Sequence, residues 1–291
     1  MCGCRIRHSN PHSHDPYYMK KQIKSVLQKV SPDLFHAISS YRFFRYCQGR
    51  FEEFQKSFRT NVYGQGEIQI LSGPFHGMQY YERVVWGPIT PKWLGSYENE
   101  LHAPVSEALS GDYKTIIDVG AAEGYYAVGL AFKLPKCQVI SYDVDPIARR
   151  RQRQLMELNR VTNLDIRKYC AHTDLENSIK GRTLVIMDIE GFEYHLLDPN
   201  KAPRLRQADI LVEIHEFEQL DLAAVQSTLT DRFQDSHHIE VISQSPASPQ
   251  ELKDSVSELA DVDLDTLSQA MDEHRGFAQS WLWMKANSQV S

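Results

Sequence analysis

Short apolar runs alternate with helical patterns over the second half of the chain. Helical spacing lies between the runs, at about 124–133, 147–160 and 191–198. Strands that alternate with helices in this way predict a parallel sheet covered on both faces. The five runs, each ending in polar or small residues, are TIIDVG (115–120), CQVISYD (137–143), LDIRKYC (164–170), TLVIMDIE (183–190) and ADILVEIH (208–215).

Further elements follow these five predicted strands. They are a helix near 221–232, a strand in HHIEVIS (237–243), a helical pattern at about 249–273 and a short strand in SWLWMK (280–285). The sequence therefore predicts an α/β fold built on a doubly wound sheet.

The first hundred residues differ from this pattern. Apolar residues from Tyr17 to about Phe58 fall at helical spacing, and Pro32 interrupts them, with Ser31 as N-cap of a second helix. Many of these residues are aromatic, which favours an extension packed on the main domain over an aromatic binding surface. Residues 66–90 alternate around Gly-Pro and Gly-Met turns and predict a β-hairpin, followed by a helix over about 97–109.

These patterns divide the chain into three parts. We expect a disordered tail over residues 1–16, a helical and β-hairpin extension over 17–95, and the main α/β domain over 96–287. The tail contains Cys and His residues, but C-x-C at this position lacks the spacing of a structural zinc site, so no metal site is expected.

Composition narrows the class of protein. Of 291 residues, 42% are hydrophobic and 24% are charged, as in ordinary globular proteins, which argues against disorder, collagen and coiled coils.

No apolar stretch approaches about 18 residues, and the polar start has no secretory h-region, so no membrane association is expected. Five cysteines are too few for a disulfide framework and indicate a reducing, cytoplasmic compartment. A net charge of −6 makes nucleic acid an unlikely partner, without excluding a local basic site.

The loop after the first predicted strand carries the first candidate chemistry. Asp118, Gly120 and Gly124 lie where open α/β sheets bind ligands. A dinucleotide fingerprint would need glycine where this chain has Ala122 and Tyr125, so a ligand without a pyrophosphate fits better. A tight turn that binds no ligand is the alternative.

A second carboxylate supports a nucleoside ligand. Asp143 ends the second predicted strand, 25 residues after Asp118, where an acidic side chain can accept both ribose hydroxyls. Together the loop and Asp143 indicate an adenosine-containing ligand that is not a dinucleotide.

At this point the sequence resembles a known family. IIDVGAAEGYYAVGLA and VISYDVDP resemble the first two motifs of class I S-adenosylmethionine-dependent methyltransferases. VIMDIEGFEYHLL and ILVEIHE are similar to segments of the FkbM-like branch, and the likeness covers roughly residues 97–285. It implies S-adenosylmethionine as cofactor and a seven-stranded Rossmann-like sheet whose last strand is antiparallel. One departure is Tyr169-Cys170-Ala171-His172, which stands where many members have an acidic residue for the adenine.

The motifs suggest two sets of site residues. The cofactor-binding set is Glu98, Asp118, Gly120, Ala121, Gly124, Asp143 and Asp188. The catalytic set is His215, Asp188 and Glu190.

Methyl transfer explains the choice of the catalytic set. The reaction is an in-line displacement that needs an aligned acceptor and usually removal of its proton. Asp188 and Glu190 end the fourth predicted strand and would share a direction, as would Glu213 and His215 on the fifth. We expect His215 to be the base or to orient the acceptor, Asp188 to position the acceptor or the methionyl amine, and Glu190 to hold a substrate hydroxyl. The alternative is that Glu213 and His215 only anchor loops.

Several functions remain open at this point. The leading prediction is an O-methyltransferase for a small or saccharide-like acceptor, an acceptor class that comes from the resemblance alone. A nicotinamide-dependent oxidoreductase is disfavoured by Ala122 and Tyr125. A non-catalytic cofactor-binding interaction protein stays open, and so does an RNA methyltransferase that uses the basic residues 149–153. A homo-oligomer is left open as well.

Overall fold

Seven strands form one mixed sheet in the computed structural model, which describes residues 31–82, 87–275 and 279–287. The order across the sheet is β3-β2-β1-β4-β5-β7-β6. Strands β1 to β5 are parallel, whereas β7 is antiparallel to both β5 and β6. The strands are β1 Thr115–Val119, β2 Gln138–Tyr142, β3 Leu164–Arg167, β4 Thr183–Met187, β5 Asp209–Glu213, β6 His237–Ser243 and β7 Ser280–Ala286. This confirms the α/β fold and the antiparallel last strand.

Helices cover both faces of this sheet. Neighbouring residues within a strand serve opposite faces, so Ile116 joins one buried cluster and Ile117 the other. Helices α1, α3, α4, α5 and α10 contribute to the first cluster and α6, α7 and α8 to the second. The helices are α1 Pro32–Tyr63, α2 Thr90–Leu94, α3 His102–Ser110, α4 Tyr125–Lys133, α5 Pro146–Leu158, α6 His172–Ser178, α7 Glu193–Leu196, α8 Leu222–Phe233, α9 Pro249–Ser255 and α10 Leu264–Met271.

The sheet has a topological switch point at β1. The chain passes from β1 outward to β2 and β3, and then returns to the other side of β1 as β4. In open α/β sheets, ligands bind beyond the carboxyl ends of the strands that flank such a point. The loops after β1 and β4 therefore border the expected crevice.

The N-terminal segments share the core of the sheet domain. Helix α1 begins after Ser31, whose side chain makes no capping bond, and Phe58 at its far end is buried. Phe75 packs so closely on α4 that a Cβ at Gly129 would lie 2.6 Å from its ring. The predicted first part of the helical extension, before residue 31, lies outside the described residues, as do the Cys and His residues of the tail.

Three predicted elements are wrong in detail. Within the described part of the range 66–90, the expected hairpin shortens to antiparallel pairing of residues 68–70 with 78–80, centred on the bridge from Gln69 to Gln79, because glycine and proline turns interrupt the arms. The helix expected over 97–109 begins later, as a 3₁₀ turn over Asn99–Leu101 that leads into α3, and the pattern at 249–273 is broken into α9, a 3₁₀ turn and α10. No helix of the described ranges is long and apolar enough to cross a membrane.

Candidate functional site

The loop after β1 is held by backbone contacts to both neighbouring strands. The amide groups of Gly120 and Ala121 donate to the carbonyl of Tyr142 at the end of β2. Gly120 has φ +89°, and a Cβ there would overlap the carbonyl oxygen of Asp188. The structure shows that the group approaching it is the backbone after β4.

Asp143 fixes the next residues of the same loop. Its Oδ2 accepts from the amide of Ala122 at 2.8 Å, and its Oδ1 accepts from the amide of Asp145 at 2.8 Å. Ala122 needs this support because its φ is +44°, a conformation that costs about 1–2 kcal/mol for a residue with a Cβ. Burial raises the pKa of Asp143 to about 6. Asp143 thus orders the loop, and ribose binding would use its remaining lone pairs.

Asp118 lies at the floor of the crevice. Its side chain is buried, and its Oδ2 has no hydrogen-bond partner within the described residues. Burial, together with the nearby carboxylates of Asp143 and Asp188, raises the pKa of Asp118 to about 8. A buried acceptor of this kind is costly without a partner, so it favours a ligand that donates a hydrogen bond or carries positive charge.

Most of the predicted cofactor-binding residues line one cavity of about 50 Å³. It holds only part of a nucleoside-sized ligand, so the remainder would lie along the open edge of the sheet. Its lining includes Glu98, Asp118, Gly120, Ala121 and Asp188. Two predicted residues, Asp143 and Gly124, do not line it. Gly124 instead precedes α4 with φ +100° and faces Val128 and Gln152.

Glu98 is buried in an ion-pair network that the sequence analysis missed. Arg275 Nη2 donates to Glu98 Oε1 at 2.9 Å, and the hydroxyl of Tyr126 donates to Oε2. The amide of Glu98 donates to Glu273 Oε1 at 3.0 Å. Glu98 does not open a helix, as the sequence analysis expected, because it has φ +48° and precedes the 3₁₀ turn. Its charge is thus already balanced in part by Arg275.

A second buried pair borders the cavity. The ammonium of Lys92 contacts Glu123 Oε1, and the hydroxyl of Tyr80 donates to the same oxygen at 2.9 Å. Lys92 also lies 4.7 Å from the ring centroid of Tyr97. These contacts fix the wall of the cavity between α2 and the loop after β1.

His215 lies among four carboxylates next to this cavity. Its Nδ1 is 2.9 Å from Oε1 of Glu193, which is fully buried. Its Nε2 is 3.7 Å from Asp188 Oδ1, 3.7 Å from Glu213 Oε1 and 3.8 Å from Glu190 Oε2. The structure therefore brings together all three predicted catalytic residues, and it adds Glu193.

The same carboxylates shift the pKa values of one another and of His215. Burial and repulsion from Glu98 raise the pKa of Asp188, and burial and repulsion from Asp188 raise that of Glu213. Burial by itself lowers the pKa of His215, but the Glu193 hydrogen bond and the surrounding negative charge raise it overall. Excess negative charge gathered at the edge of a cleft is typical of a site that takes a cation or moves a proton.

The route by which these residues meet differs from the prediction. Strand β4 ends at Met187, so Asp188 and Glu190 do not share a strand direction. Glu190 has φ +56°, and Gly191 turns the chain with φ +104°. A Cβ at Gly191 would lie 2.6 Å from the carbonyl oxygen of Glu216. This turn, rather than strand alternation, aims Asp188 and Glu190 at His215.

The other singled-out residues lie outside the site. His195 is exposed on α7, and Cys137 and Cys170 are buried thiols whose pKa values are raised by burial to about 11 and about 12. In the basic run on α5, Arg149 donates to the carbonyl of Asp143, and Arg151 lies over the ring of Tyr81. These two arginines are thus engaged within the chain.

Solved structures of several methyltransferases are similar to parts of this chain at low sequence identity. Neither a protein-family model nor a curated protein matches the sequence. An O-methyltransferase of Streptomyces achromogenes involved in tomaymycin synthesis, solved in complex with SAM, has 10% identity and a TM-score of 0.41 over 62% of this chain and 77% of its own. An rRNA methylase from Streptococcus thermophilus has 11% identity and a TM-score of 0.40 over 64% and 96%. A tRNA (uracil-54, C5)-methyltransferase of Pyrococcus abyssi, in complex with S-adenosyl-L-homocysteine, has 16% identity and a TM-score of 0.37 over 63% and 38%.

Proposed function

We propose that this protein is an S-adenosylmethionine-dependent methyltransferase that methylates a hydroxyl group of a small or saccharide-like acceptor. The observation that carries the proposal is the position of Asp188, which lines the cavity at the switch point and also lies 3.7 Å from His215 Nε2. The Asp188 carboxylate thus lies between the crevice for the nucleoside and His215, whose imidazole can accept or donate a proton.

The crevice fits a cationic cofactor. Asp118 offers a buried oxygen without a partner among the described residues, and Glu98 and Asp188 add negative charge to the same lining. When bound, S-adenosylmethionine supplies a methyl group on a positively charged sulfonium. Asp143 would hold the ribose, and Glu98, Asp118 and Asp188 would hold the cationic end.

His215 is arranged to act on the acceptor. Because Glu193 accepts from Nδ1, the imidazole keeps a fixed ring orientation, and its Nε2 is directed at the Asp188 side of the cluster. Nε2 can take the hydroxyl proton or orient the acceptor oxygen. Glu190, whose side chain is 89% exposed, is placed to bind a second hydroxyl of the acceptor.

Calorimetric titration with S-adenosylhomocysteine and NAD in parallel tests the cofactor. We expect S-adenosylhomocysteine to bind and NAD not to bind, because Ala122 stands where a pyrophosphate loop needs glycine. Binding of NAD alone would instead favour an oxidoreductase.

A screen of hydroxylated compounds for release of S-adenosylhomocysteine tests the reaction. Turnover on a hydroxylated acceptor supports the proposal. Cofactor binding without turnover on any acceptor favours a non-catalytic interaction protein, and turnover on RNA favours an RNA methyltransferase.

A further inference from the structure

Asp188, Glu213 and His215 each offer one ligand atom within 4.8 Å of the others. They come from the loop after β4, the end of β5 and the segment after β5. We propose that these three side chains bind a divalent first-row metal cation. Imidazole and carboxylate together suit such ions, whereas thiolate is not needed.

The spacing of the ligand atoms supports a shared cation. His215 Nε2 lies 3.7 Å from oxygens of both Asp188 and Glu213, which is too long for a hydrogen bond. Bonds of about 2.0–2.2 Å to one ion, at angles of about 110–120°, place nitrogen and oxygen about 3.3–3.8 Å apart. Both separations from Nε2 fall within this range.

Glu193 prepares the imidazole for this role. Its fully buried carboxylate accepts from His215 Nδ1 at 2.9 Å and also from the amide of Ile189 at 2.8 Å. The proton is thereby held on Nδ1, and the lone pair of Nε2 is left free. A carboxylate behind the histidine is the usual support for a metal-ligating imidazole.

Two carboxylates at the centre receive no hydrogen bond from the described residues. Glu213 has a side chain only 3% exposed, and no hydrogen bond reaches its carboxylate within residues 31–82, 87–275 and 279–287. Asp188 Oδ1 is buried and also has no hydrogen-bond partner there. The oxygens of these carboxylates nearest to His215 Nε2 are Asp188 Oδ1 and Glu213 Oε1. A buried carboxylate without a donor is unfavourable, and a cation bound between them would compensate both.

The centre keeps an open side. Glu190 Oε2 lies 3.8 Å from Nε2, and its side chain is 89% exposed, so solvent or an acceptor oxygen can approach from there. If the proposed function holds, on which this role rests, the cation would bind the acceptor hydroxyl and lower its pKa. His215 would then serve as a ligand rather than as the base.

Mn²⁺ alone, added to the full chain after treatment with a chelator, tests the site. Electron paramagnetic resonance counts bound Mn²⁺, and its pulsed form detects nitrogen coupling from a ligating imidazole. We expect one saturable site with a nitrogen signal. His215→Ala should remove the signal and weaken binding more than tenfold, and Glu213→Gln should weaken it similarly. Glu193→Gln should weaken it by about 10–100-fold while keeping the nitrogen signal.

The control is His195→Ala, which removes an exposed histidine of α7 outside the cluster and should leave Mn²⁺ binding unchanged. Thermal melts of each variant separate loss of the site from loss of the fold. No saturable binding, or binding that His215→Ala leaves unchanged, would overturn the metal site. Calorimetry with S-adenosylhomocysteine distinguishes the two proposals. If the protein binds S-adenosylhomocysteine but not Mn²⁺, only the metal site is overturned. If it binds Mn²⁺ but not S-adenosylhomocysteine, the metal site is supported and the proposed methyltransferase function is overturned.

Discussion

Glu193 Oε1 and His215 Nδ1 lie 2.9 Å apart, and the carboxylate is fully buried while the imidazole reaches the edge of the crevice. The buried Glu193 thus holds the imidazole in place beside the carboxylates of Asp188, Glu190 and Glu213. Because Glu193 engages Nδ1, only Nε2 is available to a group that approaches from the open side of the cluster. His215 is therefore the residue whose loss should affect turnover most.

His215→Ala should lower kcat by about 10²–10⁴-fold and leave the affinity for S-adenosylhomocysteine close to that of the unchanged protein. His215 does not line the cavity that joins the cofactor residues, so its effect should appear in turnover. Steady-state kinetics on an acceptor found by screening, with His195→Ala as the matched control, measures the difference. Full activity of His215→Ala would remove this residue from the mechanism. The Mn²⁺ experiment distinguishes a base from a metal ligand.

Asp143→Ala should weaken S-adenosylhomocysteine binding by about 2–4 kcal/mol. The carboxylate would lose its bonds to ribose hydroxyls, and the loop would lose its bond to the Ala122 amide. Calorimetry measures the change. Asp165→Ala on β3 is the control, because Asp165 pairs with a surface partner, Arg167. An Asp143→Ala protein that binds as tightly as the parent would show that the second motif has been assigned incorrectly.

Gly120→Ala should both lower the melting temperature and abolish S-adenosylhomocysteine binding. Its Cβ would overlap the Asp188 carbonyl, so the loops after β1 and β4 could not keep their approach. Gly77→Ala separates this overlap from backbone strain, because Gly77 has φ +84° but nothing within 4 Å of an added Cβ. Gly77→Ala should cost only about 1–2 kcal/mol. Equal melting temperatures for the two variants would contradict the overlap.

Asp118→Asn should stabilise the protein increasingly as pH rises. The pKa of Asp118 is about 8 in the folded protein, against about 3.9 in an unfolded chain. The folded state therefore holds a proton that the unfolded state has lost, and this stabilisation, full below pH 4, is lost as pH rises through 8. Asparagine mimics the protonated form at every pH.

Melting temperatures of the two proteins from pH 5 to pH 9 provide the measurement for Asp118. The difference, variant minus parent, cancels the titration of groups that both proteins share. It should be small at pH 5 and grow towards pH 9. A difference that does not change with pH would mean that Asp118 is ionised throughout.

The sheet could be predicted from sequence because its signals are local. Strands β1, β4 and β5 are buried at every position, and buried parallel strands need apolar residues on both faces. The edge strand β3 alternates instead, with Leu164 buried and Asp165 exposed. Strand ends were predicted less well. TLVIMDIE reads as one strand, but β4 stops at Met187 because the chain turns at Gly191 to pass the carbonyl of Glu216. A glycine after a strand was the available signal.

The site was predictable where it follows a strand and not where it depends on distant packing. Asp188 and His215 follow neighbouring strands, so their approach could be expected. Glu193 is one more charged residue in a short helix, and only its complete burial distinguishes it. Arg275 reaches Glu98 across 177 positions of the chain, a contact that no local pattern encodes.

The insertion of β7 between β5 and β6 has a consequence for how the protein is made. Strand β5 carries Glu213, and its outer edge stays unpaired until β7 is available. Strand β5 ends at Glu213, and β7 begins at Ser280. At about 5–20 residues per second, a ribosome needs several seconds to synthesise that interval. During this time the nascent chain presents an apolar, unsatisfied strand edge, a template for wrong pairing with other chains. Chaperone demand and aggregation during synthesis should therefore be greatest in this interval.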